Sequence, residues 1–198
     1  TDETFEKHWV DEEGKPIEEN YLNANLGVTF RLHVREEGKT GWETDAETYF
    51  QDALGEKNFE KLFGEGYEFE KTLTAAIDEI QGWKGVFENL PTGIVKQKET
   101  DTTELEYRVV ESQIQYGDYK VTIELKGDTG DVYSYKFSDI ALFSPYYQDA
   151  ANGKNESEDN NQYNQIHTKD FTVTKVWEGD GNNKYATRPQ TKAQGFDW

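Results

Sequence analysis

Apolar and polar residues alternate in short runs along most of this chain, and the period is that of strands. Phe5, Lys7 and Trp9 share one face of Phe5–Val10, and Val28, Phe30, Leu32 and Val34 alternate with Thr29, Arg31 and His33. Val86–Leu90 runs into a turn at Pro91-Thr92-Gly93. Leu105–Ile114 sets Tyr107, Val109 and Glu111 on one face. Tyr119–Leu125 and Val132–Phe137 read as a hairpin around Lys126-Gly127-Asp128-Thr129-Gly130, and Asp139–Phe143 as a further short strand. Many short strands between turn signals predict an all-β sandwich.

Two stretches break the period. Asp45–Phe63 carries Tyr49, Phe50, Ala53, Leu54, Phe59, Leu62 and Phe63 at helical spacing, interrupted by Gly55. It predicts a short helical insertion, placed as a lid on one end of the sandwich. Gln148–Gln162 is Asn-rich and almost free of apolar residues, which predicts a mobile loop.

One pattern is written twice. Phe5-Glu6-Lys7-His8-Trp9 returns as Val173-Thr174-Lys175-Val176-Trp177, the second lysine 168 positions after the first. Each copy places a lysine between large apolar side chains on the inward face of a strand. An ammonium there is costly unless it is paired or loses its proton, so the pattern points to chemistry. The spacing predicts a complete module over 1–168, with 169–198 as the start of a following repeat or a linker strand.

Composition narrows the function. The net charge of −19 opposes nucleic-acid binding, which needs cationic patches, and opposes binding to anionic lipid. No run reaches the roughly 18 apolar residues of a membrane-spanning helix, so no membrane insertion is expected. Cysteine is absent, which removes disulfides and thiolate metal sites, so another kind of staple would be useful. Only 34% of residues are apolar, but 12 Tyr, 11 Phe and 5 Trp supply large areas to bury. His8, His33 and His167 lack metal-ligand spacing, and Glu178–Asn183 reads as a turn, not a Ca²⁺ loop. No metal and no cofactor is called for. Lacking an initiating Met and a signal peptide, the chain reads as an excised or processed piece.

The Lys-x-Trp strand is also where a family becomes visible. Phe171–Pro189 resembles the opening of a Cna B-type domain, the repeated stalk module of Gram-positive surface adhesins and pilins, and Lys7–Pro16 resembles it too. Gly82–Pro91 and Tyr107–Glu111 are similar to the family's middle strands, whereas Asp45–Phe63 and Asp139–Gln162 depart from it. The resemblance implies an Ig-like or prealbumin-like β-sandwich in a cell-wall-anchored extracellular protein, with neighbouring repeats of the same protein as partners. It also implies a self-formed amide between a Lys on the first strand and an Asn or Asp on the last, assisted by a Glu between them. In this sequence those roles fall on Lys7 as nucleophile, Glu111 as the assisting acid and Asn164 as electrophile. Phe5, Trp9, Tyr107 and Val109 would form the apolar shield.

The residues support that chemistry in their own terms. Burial lowers a lysine's pKa and makes its amine nucleophilic, and a buried carboxyl held protonated can donate to an amide oxygen. Asn164 shares a face with Ile166, whereas the nearest competitor, Asn161, has the opposite parity. Each domain would react once with itself, so no turnover enzyme is implied. The alternative is an adhesin domain that binds a host glycan or matrix protein through its insertions, with Trp42, Tyr49, Tyr146 and Tyr147 as candidate contacts.

Overall fold

The computed structural model describes residues 1–17, 22, 25–42, 44–74, 83–127, 133–138, 142–145 and 161–167. The chain divides into two units, Thr1–Thr168 and Lys169–Trp198, and every described residue belongs to the first. The repeated strand with Lys175, the Glu178–Asn183 turn, Tyr146, Tyr147 and nearly all of the polar Gln148–Gln162 stretch lie outside the described residues. Asn161 and Gln162, at the end of that stretch, open the last strand.

Among the described residues the unit is mostly β, with two sheets and two short helices. One sheet runs β4 (Lys84–Phe87), β1 (Glu3–Val10), β10 (Asn161–Ile166), β9 (Phe143–Pro145). The other runs β3 (Glu70–Thr74), β2 (Leu26–Glu36), β6 (Thr102–Tyr116), β7 (Tyr119–Gly127), β8 (Tyr133–Phe137), with β5 (Gly93–Val95) added to β6. Strands β7 and β8 are the expected hairpin. Strands β3 and β5 were not expected from the pattern; of the predicted Asp139–Phe143 strand, residues 139–141 lie outside the described residues and Phe143 opens a strand that runs to Pro145.

The core lies between the sheets. On β2 the expected apolar face is buried, with Leu26, Val28, Phe30, Leu32 and Val34 at most 2% exposed, but His33 of the other face is buried as well, against the Trp42 carbonyl. From the facing sheet Phe5 brings its ring to 4.6 Å from Phe30 and stacks on Phe87 at 5.5 Å. The Phe5 ring fits because its cross-strand neighbour is Gly85: a Cβ there would lie 2.2 Å from Phe5 Cζ. Gly85→Ala is therefore expected to destabilise the fold by roughly 1–3 kcal/mol, the scale of an overpacked core. Chemical denaturation would check this, and an unchanged midpoint would count against the packing described.

The helical insertion forms as two helices, α1 (Ala46–Leu54) and α2 (Glu56–Phe63). Asp45 caps α1 by accepting from the Thr48 backbone N–H at 2.9 Å. Gly55, at φ +71°, separates the helices in a conformation that favours glycine. Ala46, Phe50 and Leu54 belong to the core, and Phe50 packs among Phe63, Phe69 and Tyr107. The insertion thus completes the core beside the Val34–Glu36 part of β2.

Candidate functional site

The three residues singled out for chemistry come from three strands in two sheets. Lys7 sits in β1 between Phe5 and Trp9, and all three side chains are buried, while Glu6 and His8 of the opposite parity are partly exposed. Asn164 lies on β10, which runs parallel to β1 and pairs it in a register that sets Asn164 opposite Trp9 and Gln162 opposite Lys7. Glu111 reaches in from β6 of the facing sheet, where it opposes Phe30. Lys7, Glu111 and Asn164 are 3%, 2% and 1% exposed. Three adjoining polar side chains this deep in a core need each other.

They meet at one carboxyl group. Lys7 Nζ is 2.8 Å from Glu111 Oε1, and Asn164 Nδ2 donates to Glu111 Oε2 at 2.7 Å. Lys7 Nζ also donates to the His8 carbonyl at 3.3 Å and lies 4.4 Å from the centre of the Trp9 ring. Burial pushes the Lys7 ammonium down to about 8, and the charge and hydrogen bond of Glu111 pull the other way. The amine is therefore much closer to its neutral, nucleophilic form than a surface lysine. The amide shows one difference from expectation: its nitrogen, not its oxygen, faces Glu111. The two ends of a side-chain amide exchange by a half-turn.

The shield is partly as expected and partly not. Phe5 and Trp9 flank Lys7, and Val109, fully buried, lies one step along the inward face of β6 from Glu111. Tyr107 belongs elsewhere. Its ring packs on Phe50 and its hydroxyl donates to the Pro91 carbonyl at 2.5 Å, tying β6 to the turn beside the helices. Residues the sequence did not single out enclose the cluster as well. Phe30 opposes Glu111, Phe87 backs Phe5, and Trp83 and Phe143 pack on Trp9 at 5.6 and 5.7 Å. Of the aromatics considered as ligand contacts, Trp42 is 5% exposed beneath Arg35, and the Tyr49 hydroxyl donates to Glu36.

No family model, no curated protein and no solved structure matches this chain. What the arrangement can do is therefore read from its chemistry. It holds an amine and a carboxamide against the two oxygens of one buried carboxyl group. Among the described residues no group of three metal-ligating side chains occurs, and no helix is long and apolar enough to cross a membrane. A cleft of about 390 Å³ beside β1 is lined by Lys7, Trp9, Ile17, Leu22, Trp83 and Tyr163. A second, of about 320 Å³ between α2 and β5, has Leu54, Leu62, Ile94 and Val95 in its wall with Lys61, and carries no nucleophile–acid pair.

Proposed function

We propose that this unit is a Cna B-type stalk module of a Gram-positive cell-surface adhesin or pilus, stapled by an amide bond between Lys7 and Asn164. The observation that carries the reading is the shared carboxyl of Glu111, with the Lys7 nitrogen on one oxygen and the Asn164 nitrogen on the other. The Ig-like or prealbumin-like identity of the sandwich is part of the same proposal. The ordered sequence blocks around Lys7, Gly82–Pro91 and Tyr107–Glu111 support it.

The reaction balances as follows. Glu111 takes a proton from Lys7 Nζ through Oε1, and the neutral amine attacks Asn164 Cγ. The C–Nδ2 bond breaks as Glu111 hands its proton to the departing nitrogen through Oε2. The second proton of the attacking nitrogen passes to the freed Glu111 carboxylate and leaves with the ammonia as ammonium, so one amide forms, one ammonia is lost and Glu111 ends as the carboxylate it began.

The mechanical consequence follows from the parallel pairing of β1 and β10. Tension between the start of β1 and the end of β10 pulls the two strands in opposite directions along their length. That loads the ladder in shear, and a Lys7–Asn164 bond would carry the load covalently past everything between them.

Intact mass tests the reading. The protein is expected to be lighter than its sequence by one ammonia, with a peptide map joining Lys7 to Asn164. Recovery of both residues in unmodified peptides would overturn the proposal.

A further inference from the structure

Strand β6 contains one residue too many for its partner. From Val34–Tyr107 through Leu32–Val109 to Phe30–Glu111 the ladder with β2 is regular, and the next pair is Thr29–Gln113. Ser112 is left over, a β-bulge. The slip changes the parity of the face that β6 turns to β2's core residues: Val109 and Glu111 oppose Leu32 and Phe30 before it and Ile114 opposes Val28 after it, while Val110, of the other parity, is buried as well.

Some slip is required by the core, but not at this position. In the register of the first half, carried through, Val28 and Leu26 would face Gln113 and Gln115. Two amides would enter the core and Ile114 would leave it, at a cost. A slip just after Val109 would avoid this equally well. It would keep Val109 against Leu32, leave Val110 over, set Ser112 against Phe30 and turn Glu111 outward. That arrangement fills the core without a carboxyl group. The observed slip comes two residues later, at the point that keeps Glu111 inside.

Two further features mark the same place. The Ser112 hydroxyl donates to the Thr29 carbonyl at 3.2 Å and so fastens the bulge to β2. Strand β7 pairs with β6 only over Gln113–Tyr116, so the ladder on that side starts just beyond the bulge. Glu111 stands where β6 has parted from β7 and can lean toward the opposite sheet.

We propose that Ser112 is a positioning residue: the bulge it forms and pins sets the Glu111 carboxyl between Lys7 and Asn164. This rests on the amide-forming reading above. Bulges re-aim side chains next to reactive sites because the extra residue bends the strand and raises its twist.

The test uses the full chain, isolated in denaturant before it has folded and then refolded, with ammonia loss followed by intact mass. Deleting Ser112 keeps Glu111 opposite Phe30 but removes the bend that aims its carboxyl, and is expected to slow the mass loss at least tenfold. Should that variant fail to fold, Ser112→Ala decides. It keeps the extra residue but loses the pin, and is expected to react about tenfold more slowly, the scale of one orienting hydrogen bond. Its rate should also begin to fall at lower pH than the wild type's, because a loosened Glu111 no longer helps Lys7 hold its proton. Ser112→Thr, which keeps the hydroxyl, should restore both rate and profile. Ser112→Ala reacting at the wild-type rate with an unmoved profile would overturn the inference while the amide reading stands. A wild-type chain that never loses ammonia would overturn both.

Discussion

Glu111→Gln is expected to keep the full mass of its sequence and to melt roughly 10–20 °C below the wild type, on a scale of about 2–4 °C per kcal/mol for a domain this size. Glutamine keeps the shape of the side chain but cannot take the proton from Lys7, so the amide does not form. The unfolded chain then regains the freedom that a closed loop of roughly 150 residues had removed, worth about 5 kcal/mol on the loop-entropy account of a covalent staple. Part of the loss has a second source, because an unlinked Lys7 is left buried beside a neutral partner. The double variant Lys7→Met, Glu111→Gln separates the two. It removes both charges at similar volume and leaves no ion stranded, so its deficit reports the staple alone. If the double variant melts with the wild type, the unit owes nothing to a covalent bond.

How much of this was legible in the sequence depended on the distance over which each signal acts. Lys7 stood out because its neighbours at i ± 2 are Phe5 and Trp9, a contrast that needs only one strand. Glu111 was legible for the same reason, through its parity with Val109. The helical insertion declared itself through Phe50, Leu54 and the break at Gly55. Strands β3 and β5 did not, because β5 has three residues and β3 has Leu73 as its one buried side chain, too little to set a period. The roles of Phe87, Trp83 and Phe143 in closing off the site arise from register between distant segments, which local alternation does not encode. Tyr107 was misplaced for that reason: it shares the Glu111 face, but the long β6 carries it to the helices. The bulge did leave a local trace. The apolar pattern steps by two from Leu105 to Val109 and then by an odd number to Ile114, a change of parity that marks an extra residue.

The rate of bond formation should hold steady just below pH 8 and fall as the pH is raised through it, approaching tenfold for each further unit. The reactive arrangement needs one proton on the Lys7–Glu111 pair, placed on the carboxyl. The ion pair holds the same single proton, placed on the amine, so passing between the two neither takes up nor releases a proton. Raising the pH through about 8 strips that proton from Lys7 and leaves an amine beside a carboxylate. The nucleophile is then present but the acid for the departing nitrogen is gone. Refolding the denatured chain between about pH 7 and pH 10 and following ammonia loss by mass measures this directly. A rate that climbs through pH 8 would mean that the free amine alone is limiting, and Glu111 would then be no more than a partner ion. Loss of the fold would not account for the expected fall. Lys7 is lowered from its ordinary 10.5 to about 8 on folding, so between those values the unfolded chain holds more protons than the folded one. In that window this residue makes the unlinked protein more stable as pH rises. A falling rate in a fold that becomes more stable as Lys7 loses its proton therefore assigns that proton to the chemistry.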